Sequence, residues 1–370
     1  MGKNWESIAC KIEEKERQVA LRSSGKIPYT AKDHVFDDRS ARKDICWWTN
    51  GFYGGMLWQL YHSTGEDIFE KEARAVEEKL DTALLDYNGM DHDAGFRWLP
   101  TSVAAYRLFK EPASKNRGLL AAEILAGRFN PNGNFIRAWN DWGDGRDTTG
   151  WAIIDCMMNL PILYWASDEL NDPRFKAIAM LHADTAAKNF IREDGSIRHI
   201  VGFDPVTGEY LRDYGGQGYG EGSSWTRGQA WGLYGFTLSY LHTREQRYLD
   251  TAMKIADRFA GRIPEDGLIP VDFDQPAEPA YKDSTAAAIA ACGFLTLDEC
   301  LGSDRYLAAA EKMLSALDEK DCDYDPAHDE LLTRCTAAYH DAEHEFPIIY
   351  GDYYYIEAIW KLTGRELFIW

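Results

Sequence analysis

Two kinds of helical segment alternate along this chain, and that alternation restricts its fold more than any other feature. One kind opens on a polar or Gly-rich loop and then runs apolar nearly all the way round, rich in Gly, Ala and aromatic residues. Six segments are of this kind, over 48–62, 95–109, 151–165, 225–241, 284–300 and 350–362. A helix without a polar face belongs in an interior. The other kind is amphipathic. In 66–84, Ile68, Ala73, Val76 and Leu80 recur at helical spacing, with Glu and Lys opposite. Matching segments run over about 4–22, 115–128, 172–190, 244–262 and 304–318. Inner and outer helices in strict alternation close into an all-α (α/α)6 toroid, with the outer set shielding the inner set from water. An open solenoid or a two-domain bundle shares the local pattern, but solenoid repeats run to more uniform lengths. The reading is therefore one ring over 1–370, a single domain, where 370 residues would otherwise suggest two or three.

Strand content is small: 268–273 and 197–204 read as short β-like runs on connections. The longer connections, 129–150, 191–224 and 263–283, each join an outer helix to the next inner one. They gather at one end of the ring, and loops gathered on a rigid scaffold are where a site is expected. The bulk composition narrows what that site can bind. A formal net charge of −20 argues against nucleic acid and anionic membrane surfaces, which need a basic footprint. No stretch reaches the roughly 18 consecutive apolar residues of a membrane span. Thirteen Trp and 20 Tyr exceed what a core needs, and flat apolar rings with a polar handle suit sugars. The first residues, MGKNWESIACKIEEKERQ, are charged and amphipathic and lack the apolar core of a signal peptide. Seven cysteines, scattered and without a C-x-x-C pair, fit neither a disulfide nor a zinc framework. These features point to a cytoplasmic, reduced protein.

Three stretches carry residues capable of chemistry. The loop 86–96 sets Asp91, His92 and Asp93 just ahead of an inner helix. An acidic turn there caps a helix, or it supplies a working carboxylate; both readings are open. No second His or carboxylate pair at ligand spacing joins it, so no metal is expected. Asp155 stands among Ile153, Ile154, Cys156, Met157 and Met158. A lone carboxylate in apolar surroundings pays a desolvation penalty that raises its pKa, toward the range of a general acid at neutral pH. Bonding to a neighbouring helix end is the structural alternative. In 217–232 Arg227 either clamps a substrate carboxylate or pairs with an acid to hold the ring together. Trp47, Trp48, Trp139, Trp142 and Trp151 fall at or near the loop ends of inner helices, where they could serve as sugar platforms. Neither a phosphate-binding glycine motif nor a G-x-S-x-G elbow is present.

These residues resemble the unsaturated glucuronyl hydrolases of glycoside hydrolase family 88. The resemblance runs from about residue 40 to 362 and rests on seven stretches in order: WTNGFYGG (48–55), HDAGF (92–96), IIDCMMNLP (153–161), SSWTRGQAWGLYGF (223–236), RIPEDG (262–267), YKDSTAAAIAACG (281–293) and YGDYYYIEA (350–358). It implies the (α/α)6 barrel and hydration of the C4=C5 double bond that polysaccharide lyases leave at a non-reducing uronate. By that resemblance Asp155 protonates C4 and activates the water that attacks C5, and the resulting hemiketal collapses. Asp93 is then the second essential carboxylate. Trp48, Trp139, His199, Gln217, Arg227 and Trp231 line the uronate subsite, and neither metal nor cofactor is required. The implied ligands are unsaturated uronate oligosaccharides, disaccharides above all, for a monomer or weak homo-oligomer.

Two departures stand out. Gly216 precedes Gln217 where close relatives carry a His, and 340–353 lacks the Ser- and Lys-containing motif associated with sulfated substrates. The latter leans the expectation toward poorly sulfated or unsulfated sugars. The nearest alternative is an unsaturated rhamnogalacturonyl hydrolase of the same barrel type. An (α/α)6 epimerase would need inward-facing histidines, for which only His62 and His242 qualify. A non-catalytic scaffold would seal Asp155 from solvent with no pocket above it.

Overall fold

The computed structural model describes residues 3–141, 143 and 145–370, which leaves Trp142 outside the described residues. Its helices are α1 (Trp5–Arg22), α2 (Phe52–Thr64), α3 (Asp67–Lys79), α4 (Ala94–Trp98), α5 (Ala104–Phe109), α6 (Pro112–Ala126), α7 (Pro161–Leu170), α8 (Pro173–Asn189), α9 (Thr226–Thr243), α10 (Gln246–Ala260), α11 (Ser284–Leu301), α12 (Leu307–Lys320) and α13 (Ile349–Thr363). Around the axis stand α2, the α4–α5 pair, α7, α9, α11 and α13, each packed on the next, until α13 meets α2 and closes the ring. Helices α3, α6, α8, α10 and α12 pack outside the inner helix that precedes them, and α1 takes the sixth outer place against α13. The architecture is the expected (α/α)6 toroid, and closure rules out the open solenoid.

The helices follow the two residue patterns. On α10 the buried positions Tyr248, Leu249, Ala252, Ile255, Ala256 and Phe259 form one stripe, as an outer helix requires. On α11 every residue from Ser284 to Asp298 is buried. That helix is long and apolar enough to cross a membrane by length and composition, yet here it is an inner helix of the ring. Pro112, Pro161 and Pro173 each open a helix, where the missing N–H costs nothing. Asp172 and Asp283 cap α8 and α11 by accepting the N–H of Arg174 and Thr285.

Two inner segments differ from the expected continuous helices. Within 95–109, a π-helical turn over Leu99–Val103 separates α4 from α5. Pro100 sits in that turn, where its missing N–H breaks the regular ladder. Within 151–165 no α-helix forms before Pro161. Trp151–Ile153 is strand β5 of a small sheet, and Ile154–Met158 is a 3₁₀ turn. The expectation that Asp155 lies inside a helix is corrected accordingly. Pro161 can start a helix but not continue one, and Ile153 and Ile154 are β-branched.

The strands, in chain order, are β1 (Ala31–Lys32), β2 (Val35–Phe36), β3 (Phe129–Asn130), β4 (Phe135–Ile136), β5, β6 (Ile200–Phe203) and β7 (Tyr210–Tyr214). β1 pairs with β2 and β3 with β4, and β5-β6-β7 form one antiparallel sheet. The run at 197–204 thus supplies β6. The run at 268–273 makes only isolated bridges, Trp225 to Asp272 and Pro270 to Lys282, rather than a strand.

Candidate active site

The β5–β6 register brings the first two functional groups together. Ile153 pairs with Ile200, and the next residue along, Ile154, donates its N–H to the carbonyl of His199 at 3.1 Å. Asp155 follows on the 3₁₀ turn, and its Oδ2 lies 3.6 Å from Nε2 of His199. That separation is too long for a hydrogen bond, and Oδ2 has no hydrogen-bond partner among the described residues. Burial pushes the Asp155 carboxyl up to about 7, against the opposing pull of Arg227. His199 is buried too, and its Nδ1 accepts the backbone N–H of Gln217 at 3.0 Å. Its proton therefore belongs on Nε2, facing Asp155. Burial, with Arg227 second, pushes His199 down to about 3, so the ring is neutral.

The second carboxylate comes from the turn ahead of α4. Asp91 organises that turn: its Oδ1 accepts the N–H of Asp93 at 2.9 Å and a guanidinium N–H of Arg97 at 2.6 Å. Asp93 stands at the N-cap position of α4 but makes no side-chain cap bond. Its Oδ1 instead accepts from the Asn159 amide at 3.1 Å, with Nε2 of His92 at 3.5 Å. Burial holds the Asp93 carboxyl well above the ordinary carboxylate range; Asp91 and Asp155 add to the rise and Arg97 opposes it. Burial thus shifts both aspartates toward their protonated forms.

Asp93 and Asp155 line one open cavity of about 570 Å³ at the loop end of the ring. Trp48, Trp139, His199 and Gln217 line it as well, together with Gly216, His92, Lys43 and Arg146. A scaffold with Asp155 sealed in has no such cavity. Trp48 is half-buried and leans on Phe96 and Tyr350 with ring centroids 5.5 and 4.9 Å away. Trp139 packs on Trp151 at 6.1 Å. Gln217 is fastened through its side chain to the carbonyl of Ala337 at 3.0 Å.

Gly216 explains its own presence. Its φ of +60° is one that L side chains rarely adopt, and a Cβ there would fall 1.9 Å from Nδ1 of His199. The imidazole occupies the space a side chain would need, so no larger residue fits this backbone.

Two residues expected at the subsite stand behind the cavity wall instead. Arg227 is 1% exposed, and its Nη1 binds Asp283 at 2.8 Å and the carbonyl of Thr336 at 2.6 Å, while Nη2 binds the carbonyl of Ala337. Of its two open readings, the structure shows the pairing one: the guanidinium ties α9 to the start of α11 and to the connection ahead of α13. Trp231 is fully buried against Phe96, Tyr350 and Tyr354, so it packs in the core. Neither lines the cavity. The epimerase candidates lie at the C-terminal ends of α2 and α9, where His62 is exposed and His242 stacks on Tyr164 at 5.1 Å.

One member of the 91–93 turn and two contributors not evident from the sequence pattern complete the site. His92 lines the cavity with an unpartnered Nδ1, and burial pushes its ring down to about 4. The connection between α12 and α13 supplies the carbonyls that hold Arg227 and Gln217. Asn159 joins the two aspartates; its place four residues beyond Asp155 is the one signal the sequence offers for it. Among the described residues one metal-capable group occurs, His34, Asp323 and His328, and none of its members lines the cavity. Its two imidazoles stack face to face at 3.6 Å, which keeps one ion from lying in both ring planes.

Comparison with known proteins places nearly the whole chain in one family. The model of Glycosyl Hydrolase Family 88 matches residues 19–366. An unsaturated glucuronyl hydrolase of Bacillus sp. (strain GL1) is 36% identical over 349 residues, covering 91% of this chain and 92% of that one. An unsaturated chondroitin disaccharide hydrolase of Streptococcus pyogenes serotype M1 is 35% identical over 333 residues, covering 87% and 83% respectively. Among solved structures, the Bacillus sp. GL1 unsaturated glucuronyl hydrolase superposes with a TM-score of 0.89 at 31% identity. That superposition covers 98% of this chain and 97% of the other.

Proposed function

The chain belongs to glycoside hydrolase family 88, and on that premise we propose that it removes a 4,5-unsaturated glucuronic acid from the non-reducing end of short, lyase-generated oligosaccharides. The observation that carries the reading is Asp155: a carboxyl raised to about 7, with an unpartnered oxygen, in a cavity walled by Trp48 and Trp139. A vinyl ether is hydrated by delivery of a proton to carbon followed by attack of water. Protonated Asp155 delivers the proton to C4, and the carboxylate left behind takes a proton from the water that adds at C5. The hemiketal formed then collapses and releases the next sugar. His199, neutral with its Nε2–H toward Asp155, stabilises the carboxylate between those steps. Protonated Asp93 donates a hydrogen bond to a sugar hydroxyl and holds the ring in register.

A cavity of about 570 Å³ suits a disaccharide. The similarity to hydrolases of glucuronyl and chondroitin disaccharides favours glycosaminoglycan fragments over rhamnogalacturonan. We read the protein as cytoplasmic, supported by seven cysteines that are all free thiols.

The test is direct. Incubation with unsaturated disaccharides from chondroitin, hyaluronan and heparin lyase digests should bleach the near-UV absorbance of the conjugated uronate, and Asp155→Asn should abolish that loss. Persistence of the absorbance with every digest would defeat the reading.

A further inference from the structure

Asn159 is fully buried and bonds to both halves of the site. Its Nδ2 donates to Oδ1 of Asp93 at 3.1 Å and to the backbone carbonyl of Asp155 at 3.3 Å. Its Oδ1 accepts the N–H of Phe96 at 2.7 Å, in the first turn of α4. One amide thus spans the turn that carries Asp155 and the helix start that carries Asp93. The fit is tight from both sides. A Cβ on Gly95 would lie 2.5 Å from Cα of Asn159 and 2.7 Å from its Oδ1, so only glycine lets α4 approach this closely. The Phe96 bond also settles the amide's orientation, because a backbone N–H needs the oxygen and leaves the NH₂ for Asp93.

We propose that Asn159 is a positioning residue for the hydration reaction, fixing how Asp93 stands relative to Asp155 and reserving Oδ2 of Asp93 for its proton. In a protonated carboxyl the carbonyl oxygen is the better acceptor, so a bond from an NH₂ group favours the proton on the other oxygen. With Oδ1 occupied, the proton of Asp93 sits on Oδ2, so Asp93 acts as a donor in one fixed direction. The backbone bond to Asp155 ties the general acid to the same reference point. The inference rests on the reading of Asp155 and Asp93 given above.

Asn159→Asp separates positioning from mere support. The new carboxyl keeps the shape and still accepts from Phe96. It donates to Asp93 only when it is itself protonated. The donor pattern then needs two protons on a coupled acid pair where the natural site needs one, and the second proton leaves at lower pH than the first. At neutral pH kcat should fall by roughly 10²-fold, the scale of a misplaced catalytic group, with KM much less affected. Activity should recover on acidification, moving the alkaline limb of the kcat profile to lower pH. An unshifted kcat profile, normalised at each pH to the folded fraction seen by circular dichroism, overturns the proposal, because that normalisation removes the pH dependence of stability itself.

A second measurement covers a variant that folds poorly. In Asp93→Asn/Asn159→Asp the donor and acceptor are exchanged, so the double variant should melt above Asn159→Asp alone. Failure of that rescue counts against the proposal. Asp155→Asn distinguishes the two levels: if it remains active, the reading of the site falls. If it is dead while Asn159→Asp keeps the natural profile, only the role of Asn159 falls.

Discussion

A carboxylic acid that keeps its proton until about pH 7 can protonate carbon in neutral solution, where an ordinary aspartic acid has already ionised. Asp155 reaches that state through burial, with Arg227 holding the rise in check. The general acid must be protonated to act, so kcat/KM should fall as pH rises through about 7, with the free-enzyme limb set by Asp155. A pH–rate profile measures this directly, and a flat profile from pH 6 to 9 would contradict the assignment. Gly216→Ala probes the neighbouring group: its Cβ would overlap Nδ1 of His199, so either the imidazole or the 215–217 turn must move. Activity should drop by at least roughly tenfold, with the melting temperature changed by only a few degrees because Gly216 is on the surface.

Among elements, the instructive case is the short sheet placed ahead of α7. Alternation of helix types makes the ring legible, since apolar and amphipathic faces are decided by side-chain periodicity alone. The interruption at 151–160 is not legible in that way, because one apolar run serves equally for a buried helix or a buried strand. Pro161 and the pair Ile153–Ile154 are the available signal. The apolar surroundings of Asp155 follow from its sequence neighbours, whereas its local backbone does not. Arg227 goes the other way. Its place at an inner-helix start is clear from sequence, but which acid it meets depends on the α9–α11 contact and on carbonyls about 110 residues downstream. Its pair with Asp283 is 1% and 0% exposed on the two sides. Replacing Arg227 with Met leaves a buried, uncompensated carboxylate, a loss of about 3–5 kcal/mol. Chemical denaturation should register that loss, and Asp283→Asn in the same background should restore part of it. Equal stability of Arg227→Met and the natural protein would return Arg227 to the substrate.

The whole ring carries a pH signature of its own. Burial raises Asp155 and Asp352 to about 7 and Glu16 to about 8. Each binds a proton more tightly folded than unfolded. Their stabilisation is therefore complete below the unfolded carboxylate value near 4 and is lost as pH rises toward 7–8. Each tenfold gain in proton affinity on folding is worth about 1.4 kcal/mol. Self-repulsion from a net charge of −20 acts in the same direction. On the acid side the balance is reversed by carboxylates held low, such as Glu66 beside Arg17 and Asp194 beside Ser196, and by His92 and His199, which burial holds down to about 4 and about 3 and whose stabilisation is lost as pH falls below about 6.5. The melting temperature should be higher at pH 6.5 than at pH 8, where the imidazoles are neutral in both states, and Glu16→Gln should flatten that slope. Calorimetry across this range decides it, and a maximum above pH 7 would show that the buried acids do not control the balance.

Ring closure through α1 and α13 also has a consequence in time. The buried face of α1, with Ile8, Ile12 and Val19, docks chiefly on a helix the ribosome makes more than three hundred residues later. At roughly 5–20 residues per second, that interval is on the order of tens of seconds. Helix α1 is thus made long before its seat against α13 exists, and until then that part of its apolar stripe has no partner.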